Sequence, residues 1–343
     1  MRCLVVGGTG FLGGAIVDAL ISDEHSVSIL SRGKMVADVT TEVEVIKADR
    51  YEDVTALEGH QFDWVFDTCA YTPASVQLLL RALRQSLTRY VLISSISAYG
   101  TFTEEGLSEE APVPDASTED FEKAASLPRE DRASAFAYGD SYGPLKRACE
   151  KKAEELLGER ATSLRVGLLV GAGDYTDRLT WWVRRLDEAI GKRTKVPVPA
   201  PLDRSVQMID VRDAAAFALR CANDGLSGIW NVTSKPISFG AALLEIANVS
   251  GSKAVLVPVA EDIITKAQVM PWTDIPLLAP SIPEFRYFLE VGTEKAVSAG
   301  LVCRPLSDTI GPLLNWDRGR RGISLKCGMT QDQEALLLQT VRH

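Results

Sequence analysis

The stretch RCLVVGGTGFLGGAIVDALI, residues 2–21, decides the fold. Residues 2–6 form an apolar run of the kind found in a buried strand, and apolar side chains recur at helical spacing in the second half of the stretch. Between these two patterns lie Gly7, Gly10 and Gly13, each three residues from the next. The sequence therefore predicts a strand, a glycine turn and a helix in direct succession.

Glycines at this spacing, between a strand and a helix, have separate mechanical roles in binding a dinucleotide. One permits the tight turn, one lets the backbone approach a pyrophosphate, and one lets the helix pack on the strand, while the helix N-terminus attracts the phosphate charge. We therefore predict that the turn binds a nicotinamide dinucleotide coenzyme. The predicted contacts in the turn are Gly7, Thr9, Gly10, Phe11, Leu12 and Gly13.

Further apolar runs alternate with helical patterns, which is typical of an α/β protein with a doubly wound parallel sheet of the Rossmann type. The predicted strands are 27–30, 43–46, 64–68, 90–95 and 164–170, and the predicted helices include 75–86, 119–125 and 144–157. Beyond Gly173 the alternation breaks into proline-rich pieces. We therefore expect a smaller C-terminal substrate-binding lobe on the carboxyl side of the sheet.

This organisation gives three expected regions. A dinucleotide-binding domain spans 1–172 and contains an acidic insertion at about 101–140, and the substrate-binding lobe lies mainly at 173–320. Residues 202–232 are expected to return to the Rossmann domain, and 321–343 to form a C-terminal tail or helix.

The negative charge of the chain is concentrated in the insertion. The formal net charge of the whole chain is -9. Residues 101–141 carry eleven acidic and three basic side chains, which gives this segment a net charge of -8. No basic stripe is available to meet phosphates, so a nucleic-acid partner is not expected. We interpret the insertion as a solvated surface loop, with a lid over the active site as the alternative.

The chain has 343 residues, of which 46 % are hydrophobic, and these values are typical of a soluble globular protein. Neither a secretory signal nor a run of about 18 apolar residues is visible, so no membrane partner is expected and the cytoplasm is the expected location. Six cysteines without C-x-x-C spacing and only three histidines argue against a disulfide framework, a metal site and a Ser-His-Asp hydrolase.

The end of the second predicted strand bears on the choice of coenzyme. NAD sites usually carry an acid there, whereas this chain has Ser31 and Arg32, which can hydrogen-bond and form a fork with a 2′-phosphate. NADP(H) is therefore favoured, NAD(H) is the alternative, and a surface role without a ligand is the other interpretation of Arg32. Asp49, just after the third strand, is a candidate partner for the adenine amino group.

The segment YGPLK, residues 142–146, places a phenol and an ammonium group four residues apart, on one face of a helix. An unperturbed tyrosine titrates near pH 10, so a nearby cation such as that of Lys146 is needed before it can act as an acid and base near neutrality. Ser95, at the end of the fifth strand, can orient a substrate oxygen toward Tyr142. The predicted catalytic residues are Ser95, Tyr142 and Lys146.

With these motifs the chain resembles the short-chain dehydrogenase/reductase superfamily, in particular its extended and atypical branch, the NAD-dependent epimerase/dehydratase family. Besides the glycine turn, the matching segments are 93–100, 142–146, 165–171 and 206–213, in the order that the family has them. The resemblance implies that Tyr142 is the acid and base, that Lys146 holds the nicotinamide ribose and lowers the tyrosine pKa, and that Ser95 orients the substrate.

Two departures from the family pattern affect the functional expectation. The fourth strand ends in Asp67-Thr68-Cys69-Ala70 rather than in small residues with Asn or His. Ser95 is followed by Ile96-Ser97, not by the Asp-Glu pair with which sugar-nucleotide dehydratases eliminate water. A dehydratase activity is therefore disfavoured.

The resulting prediction is an NADP(H)-dependent oxidoreductase that interconverts a hydroxyl and a carbonyl on a small sugar-like or secondary-metabolite substrate. A coenzyme-retaining sugar-nucleotide epimerase is the alternative, followed by a non-catalytic coenzyme-binding protein, and the sequence leaves a homodimer open. Near the expected substrate contacts lie Arg178, Trp181, Trp182 and Arg185, of which the tryptophan pair is interpreted as packing.

Overall fold

The computed structural model describes residues 1–33, 43–83, 86–191 and 194–341. The strands are β1 (Arg2–Val6), β2 (Ser26–Ser31), β3 (Glu44–Lys47), β4 (Trp64–Asp67), β5 (Arg89–Ser95), β6 (Ala161–Val166), β7 (Leu168–Val170), β8 (Lys195–Pro199), β9 (Ser205–Val206), β10 (Met208–Asp210), β11 (Gly228–Val232), β12 (Ile237–Ser238) and β13 (Val255–Val259). The helices are α1 (Phe11–Ser22), α2 (Pro73–Leu83), α3 (Thr118–Ser126), α4 (Ala135–Tyr138), α5 (Tyr142–Leu157), α6 (Arg178–Asp187), α7 (Val211–Asp224), α8 (Phe239–Ser250), α9 (Glu261–Lys266), α10 (Glu294–Ser298), α11 (Leu306–Arg318) and α12 (Gln331–Thr340).

Seven strands form a parallel sheet in the order β11-β6-β5-β4-β1-β2-β3. β1 lies between β2 and β4, and its last residue, Val6, pairs with Leu30 on one side and Asp67 on the other. The strand order reverses at β1, so a crevice opens there beyond the carboxyl ends of the strands. The predicted Rossmann-type doubly wound sheet is confirmed.

Helices cover both faces of this sheet because successive side chains of its strands point to opposite sides. Cys3 and Val5 of β1 belong to the core on one face, where α1 and α7 pack, and Leu4 and Val6 belong to the core on the other face, where α2 and α5 pack. The predicted helix 75–86 corresponds to α2, and residues 84 and 85 lie outside the described residues.

The predicted strand 164–170 is divided in two at Gly167. A Cβ atom on this glycine would be 2.6 Å from the Thr233 hydroxyl oxygen, so the chain passes Thr233 only because residue 167 has no side chain. β6 stays in the central sheet, whereas β7 leaves it and pairs with β10. After β10 the chain returns through α7, which packs on α1, to β11 at the sheet edge.

A second hydrophobic core lies in the C-terminal half, between α6, α8, α11 and the paired strands β8 and β13. Trp182 is fully buried in this core, and its indole nitrogen donates to the Pro276 carbonyl at 2.7 Å. Trp181 is also buried there, so the interpretation of the tryptophan pair as packing is confirmed. Arg185 forms an ion pair with Glu334 at 2.6 Å, which holds α12 against the same core.

The first half of the acidic insertion is largely exposed, as expected of a surface loop, but it is anchored to the C-terminal half. The side chain of Phe102 is buried, and its amide donates to the Glu284 carbonyl at 2.6 Å. The Gly106 amide donates to the Glu290 carbonyl at 2.8 Å, so the segment is stitched to the C-terminal half by backbone hydrogen bonds. The amino-acid composition of the insertion did not indicate this attachment, because backbone hydrogen bonds do not depend on side-chain type.

Three further observations concern bonds and membranes. All six cysteines are free thiols. Among the described residues there is no cluster of three or more side chains arranged to hold a metal ion. Within the same ranges, no helix combines the length and the apolar character that crossing a bilayer requires.

Candidate active site

A cavity of about 870 Å³ opens beyond the carboxyl ends of the central strands. Every predicted coenzyme-binding and catalytic residue lines this cavity. These residues are Gly7, Thr9, Gly10, Phe11, Leu12, Gly13, Ser31, Arg32, Asp49, Ser95, Tyr142 and Lys146. The sheet topology thus brings together side chains that are distant in the sequence.

The glycine turn is shaped by close backbone contacts. Gly7 has a φ of +81°, a conformation that glycine adopts without strain, and the Gly10 amide donates to the Gly7 carbonyl at 2.9 Å. α1 begins at Phe11, and no side chain caps its N-terminus. Its first amides therefore point toward the cavity without side-chain partners, which is the arrangement that binds a phosphate. The turn fits a dinucleotide.

The ends of β2 and β3 form one end of the cavity. Among the described residues, the Arg32 guanidinium there donates to the Arg129 carbonyl at 3.4 Å and to the Glu130 carbonyl at 3.5 Å, both long hydrogen bonds. Asp49 is buried, accepts from the Tyr51 amide at 3.0 Å, and forms an ion pair with the Arg129 guanidinium at 3.3 Å. This end of the cavity therefore carries the Arg32 guanidinium, with long hydrogen bonds, and the buried carboxylate of Asp49.

Tyr142 and Ser95 both line the cavity, and the Ser95 side chain lies close enough to the Tyr142 phenol to lower its pKa. α5 can lie this close to the turn after β5 because residue 143 is glycine, whose Cβ atom would be 2.1 Å from the Ser97 carbonyl oxygen. Burial raises the pKa of Tyr142 to about 12, against the smaller lowering effect of the Ser95 hydrogen bond. The phenol is therefore protonated at neutral pH.

Lys146 lies one turn further along α5 and is almost completely buried. Its ammonium group donates to the carbonyl oxygens of Ala70, at 2.8 Å, and Ile93, and it lies 5.2 Å from the centre of the Tyr71 ring. Burial lowers the pKa of Lys146. The resemblance implied that Lys146 lowers the Tyr142 pKa, but here the pKa of Tyr142 is raised because burial dominates.

The unusual end of β4 belongs to a buried polar network that the sequence did not reveal. Asp67 accepts a hydrogen bond from the Tyr90 hydroxyl at 2.6 Å and forms an ion pair with Arg50. Arg50 is buried and lines the cavity, and within the described part of the chain its Nε and Nη2 atoms have no hydrogen-bond partner. In the sequence Arg50 stands among charged residues, as a surface arginine does, so nothing local signals its burial.

The other end of the cavity is formed by the C-terminal half. Arg178, in the first turn of α6, stacks 4.7 Å from the centre of the Trp272 ring and, among the described residues, forms no ion pair or hydrogen bond. Burial lowers its pKa. Asp174 is buried beside it with Oδ2 unpaired, and burial raises the pKa of this carboxyl.

Only Arg178 of the four residues expected near the substrate lines the cavity, because Trp181, Trp182 and Arg185 pack within the C-terminal half. The sequence missed the aromatic walls at this end. They come from separated segments that no motif spacing links, namely Tyr71, Phe136, Tyr175, Trp272, Phe285 and Phe288.

The second half of the acidic insertion forms one wall of the cavity. α3 begins with a capping box between Ser117 and Asp120, and α4 follows after the segment 127–134. Ala133, Ala135 and Phe136 line the cavity. This half of the insertion therefore covers the site.

Comparison with known proteins agrees with this geometry. A model of the NAD dependent epimerase/dehydratase family matches residues 3–233. The 2′-dehydrokanamycin reductase of Streptomyces kanamyceticus is 30 % identical over 150 residues, which are 43 % of this chain and 42 % of that reductase. The matched stretch thus spans less than half the length of this relative.

Solved structures share the fold over nearly the whole chain. The enzyme WbmH of Bordetella bronchiseptica, solved in complex with NAD+, has a TM-score of 0.63 at 15 % identity and covers 92 % of this chain and 98 % of its own. The UDP-glucose 4-epimerase of Thermotoga maritima, solved with UDP-glucose, has a TM-score of 0.63 at 16 % identity, covering 94 % and 100 %. With the family match over residues 3–233, this chain belongs to the NAD dependent epimerase/dehydratase family.

Proposed function

We propose that the protein is an NADP(H)-dependent oxidoreductase that reduces a carbonyl on a small, hydroxylated ring substrate. The observation that carries this proposal is that Ser95, Tyr142 and Lys146 line the same cavity as the glycine turn. A relative whose name is that of a reductase supports the same direction.

The residues present fit the coenzyme along the length of the cavity. The glycine turn and the N-terminus of α1 would hold the pyrophosphate, and Asp49 would meet the adenine amino group. Ser31 and Arg32 would hold a 2′-phosphate, and Lys146 the nicotinamide ribose. When bound, the reduced coenzyme supplies a hydride equivalent for a carbonyl carbon.

The protein supplies the proton for the same reduction. Tyr142 donates its hydroxyl proton to the carbonyl oxygen as that oxygen gains negative charge, so hydride and proton together convert C=O to CH–OH. Ser95 hydrogen-bonds the same oxygen and aligns it with the phenol. The phenolate left on Tyr142 then recovers a proton from water, which completes the cycle.

The relative named as a reductase favours reduction over the epimerase alternative. An epimerase begins by oxidising a hydroxyl, for which Tyr142 must act as a base, whereas a reductase needs its protonated phenol as an acid. The UDP-glucose 4-epimerase of Thermotoga maritima is similar in fold, and at 16 % identity it does not carry a reaction over to this chain.

The substrate end supports a ring with several oxygen atoms. Aromatic side chains can contact the faces of a ring, while Arg178 and the unpaired Asp174 oxygen can bind its polar groups. A long apolar chain would not suit this end of the cavity, because the charged groups of Arg178 and Asp174 line it. The substrate class is therefore a small polyhydroxylated or amino-substituted carbonyl compound.

The test combines coenzyme titration with turnover. Protein fluorescence is titrated with NADPH and NADH, for the wild type and for Arg32→Ala. We expect NADPH to bind more tightly and this preference to disappear in the variant. Equal affinity, or a coenzyme that co-purifies and does not exchange, would favour the epimerase.

Turnover is followed as NADPH absorbance at 340 nm with a panel of cyclic hydroxyketones that includes 2′-dehydrokanamycin. We expect Tyr142→Phe to lower turnover by about 10²- to 10⁴-fold, the usual contribution of a general acid, without weakening NADPH binding. Full turnover in this variant would refute the proposed role of Tyr142. If none of these compounds is reduced although NADPH still binds and exchanges, the result would favour a non-catalytic coenzyme-binding protein.

A further inference from the structure

Three arginines lie near the ends of β2 and β3. Arg32 directly follows β2 and lines the cavity, whereas Arg129 and Arg132 come from the acidic insertion and pair with Glu52 after β3. The insertion has eleven acidic residues and only three basic ones, so two of its three cations lie at this single edge. Its overall charge would repel a phosphate, and these two residues offset that repulsion locally.

We propose that Arg129 is a specificity-determining residue for the coenzyme, which exchanges its ion pair with Asp49 for the 2′-phosphate of NADP(H). The exchange frees Asp49 for the adenine and fixes segment 127–133 over the coenzyme. This inference rests on the proposed function, because it presupposes that Arg32 and Asp49 hold the adenosine end.

The geometry brings Arg129 within reach of a phosphate on Arg32. The Arg32 guanidinium lies 3.4 Å from the Arg129 backbone carbonyl, so an anion bound by Arg32 is next to residue 129. The Arg129 side chain turns away toward Asp49, at 3.3 Å, and Glu52, at 3.0 Å. A change of side-chain rotamer, without movement of the backbone, can turn the guanidinium from Asp49 to the anion.

The present partners of Arg129 hold it weakly. Its side chain is 63 % exposed, so solvent screens its ion pairs with the buried Asp49 and with Glu52. A guanidinium bound to a phosphate makes stronger, charge-assisted and often bidentate hydrogen bonds. The exchange is therefore favourable when a 2′-phosphate is present and has no driving force when a 2′-hydroxyl is present.

Asp49 explains why the exchange also affects the base. The carboxylate is buried, one oxygen accepts from the Tyr51 amide, and the other is the atom that Arg129 occupies. With Arg129 in place, each oxygen of Asp49 already has a partner, so an adenine amino group must compete with the guanidinium. Glu52 keeps a cation after the exchange, since Arg132 lies 3.9 Å from its other oxygen.

The test uses two halves of the coenzyme that differ only in the 2′-phosphate, adenosine 2′,5′-bisphosphate and adenosine 5′-monophosphate, so it does not depend on turnover. Calorimetry gives the dissociation constants for the wild type, Arg129→Gln and Arg129→Lys. We expect Arg129→Gln to bind the bisphosphate about tenfold more weakly, as the loss of hydrogen bonds to a charged group predicts. Its affinity for the monophosphate should be equal or higher, because Asp49 is freed.

Arg129→Lys should lose less affinity, since it keeps the charge but not the planar fork. Arg132→Gln is the matched control in the same segment, and its ratio of the two dissociation constants should equal that of the wild type. Amide hydrogen exchange of residues 127–133 provides a second readout. The bisphosphate should slow this exchange in the wild type, whereas the monophosphate, and the bisphosphate with Arg129→Gln, should not.

The possible failures are distinguishable. If the wild type binds both ligands equally, the NADP(H) preference in the proposed function is wrong and the inference is wrong with it. If the wild type prefers the bisphosphate and Arg32→Ala abolishes that preference while Arg129→Gln retains it, the proposed function stands and the role of Arg129 is refuted.

Discussion

A Cβ atom on residue 13 would lie 2.1 Å from the carbonyl oxygen of Gly7, so the start of α1 touches the end of β1 directly. Gly14, one residue later, has no such constraint, because its Cβ atom would find its nearest neighbour, the Gly8 carbonyl oxygen, at 3.8 Å. Two adjacent glycines of one helix therefore have different reasons to be glycine, and substitution separates them.

We predict that Gly13→Ala lowers the free energy of unfolding by about 1–3 kcal/mol or more, because a backbone atom must move to admit the methyl group. The shift of α1 should also weaken NADPH binding at least tenfold. Gly14→Ala should be neutral or stabilise the protein by up to about 1 kcal/mol, since alanine is favoured within a helix. Urea unfolding and NADPH titration measure both effects, and equal behaviour of the two variants would contradict the argument.

The sequence predicted those parts of the site that are set by local structure. The glycine turn, Ser95 at a strand end, and the Tyr142 and Lys146 pair each depend on spacing within one strand, turn or helix, and this spacing is visible in the chain. Parallel strands then place their carboxyl ends along one edge. The fold class and these parts of the cavity lining therefore follow from short-range patterns in the sequence.

Other parts of the site are set by tertiary contacts. Arg50, which follows β3, is buried against the carboxylate of Asp67 at the end of β4, and β1 and β2 lie between these two strands in the sheet. Trp272 reaches the cavity because the C-terminal half folds back over the sheet. The first half of the acidic insertion is ordered by backbone hydrogen bonds to residues 284–292. Neither a charge pattern nor a periodicity records such contacts.

The ion pair between Arg50 and Asp67 allows a prediction about stability. Asp67→Asn keeps an acceptor for the Tyr90 hydroxyl but leaves the buried Arg50 charge without a carboxylate. Removing one partner of a buried pair usually costs about 3–5 kcal/mol. Tyr90→Phe, which removes only the hydrogen bond to Asp67, should cost about 1–2 kcal/mol. Urea unfolding compares the two, and a smaller loss for Asp67→Asn than for Tyr90→Phe would show that the charge of Asp67 does not stabilise the fold.

A third prediction concerns alkaline pH. Burial raises the pKa of both Tyr138 and Tyr142 to about 12, whereas an unfolded tyrosine titrates near 10. Each buried phenol therefore contributes stability that is fully present below pH about 10 and is lost as the pH rises toward 12. Between these values the free energy of unfolding should fall by up to about 1.4 kcal/mol per pH unit for each phenol.

The variant Tyr142→Phe should make that decline shallower without changing its onset, because one titrating group is removed. Urea unfolding at intervals from pH 8 to pH 11.5 measures the slope for the wild type and the variant. An unchanged slope would mean that Tyr142 is not shielded from water in the folded protein.

The two arginines Arg178 and Arg185 on α6 should separate binding from stability. Arg178 lines the cavity with no carboxylate partner among the described residues, whereas Arg185 pairs with Glu334 and does not line it. Arg178→Gln should raise KM for the carbonyl substrate about tenfold or more, as the loss of a hydrogen bond from a charged donor predicts, and should leave unfolding and NADPH affinity unchanged.

Arg185→Gln should have the opposite profile. It leaves the half-buried Glu334 carboxylate without its cation, so the free energy of unfolding should fall by about 1–3 kcal/mol, while KM and kcat stay at their wild-type values. Steady-state kinetics and urea unfolding on the same preparations test both variants. If Arg178→Gln loses stability and keeps its KM, then the stacking of Arg178 on Trp272 holds the wall of the cavity together and does not bind substrate.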